Sequence, residues 1–288
     1  MIIAKLVGGL GNQMFQYALA RCLAYRLGTI LKLDITSYRT AKLRKYGLCY
    51  FNITERFVNL YDLIRINNSH RISPRLTSWL FGKKPMKVIT QKNFSYDSSI
   101  FDIDKGTDVY LDGYWQSEKY FIDIEDIIRK EFTVKNALSG KSKELAGKIA
   151  NSTSVSLHVR RKDYVDNEIT HRHHGICSYE YYEAAIDKIA ESVVTPNFFV
   201  FSDDIDWAKK NIHAEHPVTF VNNNGNKDYE DLRLISMCKH HIIANSSFSW
   251  WGAWLCENHN KIIYAPQKWF NTASRDLAVL IPSKWHRL

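Results

Sequence analysis

With 288 residues, 45% hydrophobic and 24% charged, the chain has the length of about two domains and a globular composition, which excludes disordered, collagen-like and fibrous classes. No run approaches the roughly 18 consecutive apolar residues of a membrane span, and five scattered cysteines without a C-x-x-C (Cys22, Cys49, Cys177, Cys238, Cys256) exclude a disulfide scaffold and suit a reducing cytoplasm. The net charge of +9 is uneven: residues 1–92 hold 16 Lys and Arg against 3 Asp and Glu, a net of +13, whereas residues 151–288 hold 15 against 16. A block so basic predicts an anionic partner, whether nucleic acid, an acidic membrane face or a phosphorylated substrate; a solvated lysine-rich surface is the plainer alternative.

The amino end, with Lys5 inside its apolar stretch, predicts a strand over Ile2–Val7 and not a signal peptide. The loop Gly8–Asn12 (GGLGN), a helix over Met14–Leu27 and a strand over Ile30–Asp34 follow. Glycines between a strand and a helix let backbone approach a ligand, and a helix start favours anions. No Gly-Lys-Ser/Thr follows, so this is not a Walker loop. Gly9 and Gly11 fit a dinucleotide G-x-G, and Asp34 stands where a ribose-binding acid would end the second strand. Met14, however, occupies the third glycine's place, and a tight turn accounts for the rest.

Beyond Asp34 the pattern loosens into Tyr-, Asn- and Arg-rich connections as far as Gly113. Within them Arg71, Arg75, Lys83, Lys84 and Lys87 flank Trp79, Leu80 and Phe81, a strip suited to an anionic membrane surface. No RNP or KH signature supports a nucleic-acid partner. A polar helix over Ala137–Ala150 and a linker at Asn151–Thr153 place the domain boundary, giving domains 1–152 and 153–288.

The carboxy half alternates strand and helix. Predicted strands are Ser154–Val159, Phe198–Phe201, Val218–Val221, His241–Ala244 and Lys261–Tyr264; predicted helices are Tyr179–Ser192, Ile205–Ile212, Tyr229–Cys238 and Phe248–Glu257. Apolar runs separated by helices predict a parallel, doubly wound α/β sheet, and so two Rossmann-like domains facing a cleft. Ligands of such sheets bind at the carboxyl ends of the strands.

Three motifs fall at those ends. In His158-Val159-Arg160-Arg161-Lys162-Asp163, one guanidinium can clasp phosphate through two parallel hydrogen bonds. The other pairs with Asp163 or a neighbouring carboxylate. Asp203 and Asp204 can accept from a guanine edge or a ribose, or can cap the next helix. Ser246, Ser247 and Phe248 open a helix where hydroxyls and free N–H groups make an anion site, or simply a capped aromatic core helix. His171, His173 and His174 are crowded and match no zinc pattern, so no metal site is expected.

GGLGNQMFQYA (Gly8–Ala18), HVRRKDYV (His158–Val165), FSDD (Phe201–Asp204) and NSSFSWWGAWL (Asn245–Leu255) together resemble the bacterial α-1,2-fucosyltransferases of glycosyltransferase family 11. The H-x-R-R-x-D block is also shared with α-1,6- and protein O-fucosyltransferases; many members carry Gly where this chain has Lys162. The resemblance implies a GT-B-like fold, GDP-β-L-fucose as donor, no cofactor or metal, and inverting transfer to the 2-hydroxyl of a terminal galactoside. It further implies a cytoplasmic enzyme whose acceptor is free or lipid-linked, with possible contact to the inner membrane face. Arg160 matches the residue that stabilises the departing phosphate, helped by Ser246, Ser247 and the backbone at Phe248. His158 matches a nucleotide contact, and Asp203 or Asp204 a guanine contact. Asn12, with Gly9 and Gly11, would reach donor and acceptor from the acceptor-side first domain, and Asp163 would orient the arginines. The rival readings are a nicotinamide-dependent oxidoreductase, resting on Gly9, Gly11 and Asp34, and a non-catalytic polyanion binder, resting on the +13 block.

Overall fold

The first apolar run forms strand β1 (Ile2–Lys5), followed by helix α1 (Leu10–Leu27) and strand β2 (Leu31–Asp34). This computed structural model describes residues 1–41, 44–68, 86–162, 175–222, 227–271 and 277–288. The chain divides into two units, Met1–Lys135 and Asn136–Leu288.

In the first unit, β3 (Lys87–Thr90) and β4 (Val109–Asp112) complete a parallel sheet of order β2-β1-β4-β3. Helix α1 begins before the expected Met14, so Gly11 and Asn12 lie in its first turn and the connection from β1 is Leu6–Gly9. The cause is local. Gly8 turns the chain at φ +80°, Gly9 is extended, and the Gly9 carbonyl accepts from the N–H groups of Asn12 and Gln13 at 3.0 and 3.1 Å. Gly28, left-handed at φ +60°, closes the helix. Helix α2 (Leu60–Asn68) is held by ion pairs: Asp62 takes Lys32 at 2.6 Å, and Arg65 reaches Asp108 at 2.8 Å.

Among its described residues the second unit has six strands: β5 (Thr153–Val159), β6 (Pro196–Ser202), β7 (Val218–Val221), β8 (His240–Ile242), β9 (Ile263–Ala265) and β10 (His286–Arg287). All pair in parallel, in the order β10-β9-β8-β5-β6-β7. Alternate residues bury on opposite faces, as strand geometry requires. Val155, Leu157, Phe198 and Val200 pack with Ile186 and Ile189 of α5 (Tyr179–Ser192, preceding β6), and with Ala208 of α6 (Ile205–Asn211). Phe199 and Phe201 pack with Ala146 and Ile149 of a helix over Gly140–Ala150 (α4, after α3 at Glu125–Glu131), and with Leu234 and Ile235 of α7 (Asp228–Met237). The doubly wound expectation holds.

The same packing corrects the boundary expected at 152/153. Helix α4 joins no linker, because Ala146 and Ile149 are buried in the core of the second unit, so the division falls after Lys135.

Strands β5, β6 and β7 step across the sheet in one direction and β8, β9 and β10 in the other, with β5 beside β8. The carboxyl ends of β5 and β8 therefore flank the point where strand order reverses, the usual ligand position in an open α/β sheet.

Candidate functional site

Strand β5 delivers His158, Arg160 and Arg161 to that point. Ser202 at the end of β6 lies beside Val159 in register, which sets Asp203 and Asp204 next to the two arginines. Nε of Arg160 lies 3.2 Å from Oδ2 of Asp203, an ion pair without the angle of a hydrogen bond, and the Arg161 N–H donates to Oδ1 of Asp203 at 2.9 Å. The two guanidinium groups, however, take different carboxylates, Asp203 for Arg160 and Asp204 for Arg161. The Arg161 guanidinium lies 4.2 Å from the centre of the Trp207 ring, with its Nε 3.8 Å from Oδ2 of Asp204. Asp204 also caps α6, its Oδ1 accepting from the Trp207 N–H at 3.2 Å. Arg161 is therefore seated on α6, whereas Arg160 stays at the strand end with its side chain 19% exposed.

His158 is buried one residue inside the strand, its ring 5.4 Å from that of Phe248. Its Nδ1 has no hydrogen-bond partner among the described residues. Burial first, then the Arg160 charge, holds the imidazole neutral well below the usual histidine range, partly opposed by Asp203.

Beyond β8, Ser246 caps helix α8 (Ser247–Leu255), its Oγ accepting from the Phe248 N–H at 3.3 Å. Helix α8 buries Trp250, Trp251 and Trp254, and the Trp250 indole donates to the Leu280 carbonyl at 2.8 Å. Capping and an aromatic core are both present, and they aim the helix N-terminus at the switch point. The site has a support that sequence reasoning passed over. Asn245, 2% exposed, donates from Nδ2 to the carbonyls of Gly175 and Trp269, each at 3.2 Å, and accepts from the Cys177 thiol at 3.6 Å. One amide thereby ties the start of α8 to two other strand-end loops.

The expected residues form two groups, one in each unit. His158, Arg160, Asp203, Asp204, Ser246, Ser247 and Phe248 gather in the second. Gly9, Gly11 and Asn12 stand at the carboxyl end of β1 in the first, where Asn12 Oδ1 accepts from Gln116 Nε2 at 2.8 Å. Gln13 braces that loop, donating to the carbonyls of Gly8 and Lys45 and accepting from the Gly47 N–H. Asp163 and His171–His174 lie outside the described residues, as do Arg71, Arg75, Trp79–Phe81, Lys83 and Lys84; Lys87 is exposed on β3. Among the described residues no three His, Cys, Asp or Glu side chains are grouped to hold an ion, and no helix is long and apolar enough to cross a membrane.

Asp34, on which the dinucleotide reading depends, is a structural residue. Its Oδ1 accepts from the N–H and hydroxyl of Thr36 at 2.9 and 2.7 Å, and its Oδ2 from the Tyr110 hydroxyl at 2.8 Å. With 4% exposure it offers no oxygen to a ribose, which removes the oxidoreductase argument.

The sequence matches the model of glycosyl transferase family 11 over residues 1–278. It is 36% identical to an alpha-1,2-colitosyltransferase of Escherichia coli, across 100% of this chain and 99% of the relative. It is 33% identical to the E. coli O-antigen biosynthesis glycosyltransferase WbnK, across 98% and 99%. Human galactoside alpha-(1,2)-fucosyltransferase 1 is 28% identical over 50% of this chain and 42% of the human protein. Among solved structures, the NodZ alpha-1,6-fucosyltransferase soaked with GDP-fucose superposes with a TM-score of 0.51 at 14% identity, covering 88% of this chain and 91% of the other. That likeness carries the fold: two Rossmann-like parallel α/β units of the GT-B kind.

Proposed function

Because the chain belongs to glycosyl transferase family 11 and is a glycosyltransferase, we propose that it transfers L-fucose from GDP-β-L-fucose to the 2-hydroxyl of a terminal galactoside, with inversion. The observation that carries this reading is that Arg160 and the capped N-terminus of α8 follow the carboxyl ends of the neighbouring strands β5 and β8 at the switch point of one sheet. In the reaction the galactoside oxygen forms a bond to the fucose anomeric carbon as the bond from that carbon to the β-phosphate oxygen breaks. GDP departs with added negative charge, and the hydroxyl proton is lost.

Fixed donors aimed at that growing charge lower the barrier without reorganising. Arg160, the Ser246 and Ser247 hydroxyls and the Phe248 backbone supply them in this proposal, with no metal or cofactor. Neutral His158, buried beside Phe248, contacts the nucleotide. The guanine contact falls to Asp203 or Asp204, whose carboxylates retain lone pairs beyond those engaged with Arg160, the Arg161 N–H and the Trp207 N–H. Asp163 orients the arginines. The first domain, with Asn12, Gly9 and Gly11, serves the acceptor.

A second reading has a specific basis in the 36% identical colitosyltransferase. Colitose is L-fucose lacking the 3-hydroxyl, so the two donors differ in one polar group. A site that hydrogen-bonds this hydroxyl discriminates strongly against the deoxy sugar. Purified enzyme given GDP-fucose and GDP-colitose in competition, with chelator present, tests both readings on galactose-terminated glycans. Predominant fucosyl product at the galactose 2-position is expected. Predominant colitosyl product would replace the donor, and strict dependence on manganese or magnesium would overturn the metal-free step.

The +13 block of residues 1–92 supports a further part of the reading: the acceptor is lipid-linked and the protein docks on an acidic cytoplasmic membrane face.

A further inference from the structure

The carboxyl end of β4 in the first unit carries side chains, Tyr114 and Gln116, that the transfer chemistry above leaves unused, beside Asn12 at the end of β1. Strands β1 and β4 are neighbours, β2 lies on the far side of β1, and β3 on the far side of β4. The strand order reverses here too. The turn after β4 is built at a cost that packing alone does not require. Trp115 takes φ +55°, a left-handed conformation that is an outlier for so large a residue. Its indole nitrogen is also buried without a hydrogen-bond partner among the described residues.

Two devices hold this turn. Oε1 of Gln91, just past the end of β3, accepts from the N–H groups of Tyr114 and Trp115 at 2.9 and 3.0 Å. Gly113 leaves the room: a Cβ there would lie 2.5 Å from Gln91 Cβ and 2.8 Å from the Trp115 ring. The result is a specific presentation. Tyr114 is 38% exposed and lies parallel to Phe94, with ring centres 6.3 Å apart and planes 18° apart. Gln116 points its amide at Asn12. The Tyr38 hydroxyl donates to the Gly8 carbonyl at 2.9 Å.

An exposed aromatic face beside neutral amides and hydroxyls is the chemistry that recognises a sugar. Galactose presents an apolar patch of C–H groups at positions 3, 4 and 5, which stacks on an aromatic ring, and hydroxyls around its rim that amides can bind. We propose that the turn Gly113–Gln116, with Asn12, is the acceptor subsite: Tyr114 stacks on the apolar face of a terminal galactoside, and Gln116 binds its hydroxyls. The Gln91 brace and the strained Trp115 are positioning elements, which hold this turn before the sugar arrives. The inference rests on the galactoside-transferase reading above and names residues that bind its acceptor.

Saturation-transfer NMR with methyl β-D-galactopyranoside, without donor, tests the assignment on the full chain. It is run alongside the GDP-induced melting shift of the same samples. Wild type should pass saturation most strongly to protons 3, 4 and 5. Tyr114→Ala should erase the signal, Tyr114→Phe should keep it, and Gln116→Ala should weaken affinity by about 2- to 10-fold, as expected for one neutral hydrogen bond. The GDP shift should be the same in all four proteins. If Tyr114→Ala does not fold, Gln116→Ala decides. Wild-type saturation in the folded Ala variants, no signal in wild type, or loss of the GDP shift together with the galactoside signal would each overturn the subsite. Absence of GDP release from GDP-fucose with an intact galactoside signal would instead overturn the fucose-donor reading alone.

Discussion

Arg160 and Asp203 stand side by side at the ends of adjacent parallel strands, with Nε 3.2 Å from Oδ2, while the other oxygen of the same carboxylate takes the Arg161 N–H at 2.9 Å. One carboxylate thus fixes the arginine side chain and the backbone that follows it. The guanidinium is ordered before any anion binds, so less conformational entropy is lost on binding.

Arg160→Ala should lower turnover by about 10²–10³-fold, the usual cost of removing one transition-state charge donor. Arg160→Lys should restore little, because an ammonium cannot make two parallel hydrogen bonds. Steady-state kinetics on protein whose melting temperature matches wild type provide the check. Near-normal turnover in Arg160→Ala would move the phosphate role to another residue.

Two glycines in helices of the second unit should respond oppositely to alanine. A Cβ on Gly252 in α8 would lie 2.3 Å from Cγ2 of Ile235, so Gly252→Ala should destabilise by about 1–3 kcal/mol through overpacking. A Cβ on Gly147 in α4 meets nothing within 4 Å, so Gly147→Ala should stabilise by up to about 1 kcal/mol through helix propensity. Chemical denaturation of both variants measures the difference. Equal effects would show that α7 and α8 separate easily.

Acid should weaken the second unit before most carboxylates titrate. His158 and His241 are both held neutral in the fold, chiefly by burial, with added repulsion from Arg160 at His158 and from Lys261 at His241. Unfolded, each takes up a proton near pH 6.5. Their contribution is therefore complete above that value and is lost as pH falls toward the depressed folded values, by up to about 1.4 kcal/mol per pH unit for each histidine. Melting temperature should drop between pH 7 and pH 5, and less steeply in His241→Asn, although that variant also removes the Nδ1 partner 2.8 Å from Ser156 Oγ. A flat wild-type profile would refute the assignment.

Wild-type protein should sediment with anionic vesicles at low salt and be released as salt rises, since each basic side chain near such a surface contributes about 1 kcal/mol. Replacing Lys83, Lys84 and Lys87 by Glu should abolish binding and spare transfer to a small soluble galactoside. Failure of the wild type to sediment would leave the basic block as a solubility feature.

Periodicity sufficed for the strand and helix alternation of residues 153–288, because strands buried on both faces must be apolar throughout while their helices are not. The strand-end motifs were legible for the same reason: Arg160, Asp203 and Ser246 follow runs whose ends the sequence marks. Tertiary structure alone decided which arginine belongs to α6 and which stays at the strand end, since adjacent residues leave a strand in opposite directions and only packing shows where Trp207 lies. It also moved the domain boundary, because a polar helix gives no sign in its own sequence that Ala146 and Ile149 meet Phe199 and Leu234. Asp34 matched a ribose ligand by spacing, yet Tyr110, 76 residues away in sequence, takes its second oxygen. The Gln91 brace on Tyr114 and Trp115 was equally invisible, since β3 and β4 are joined only by their register, and register is a property of the folded sheet.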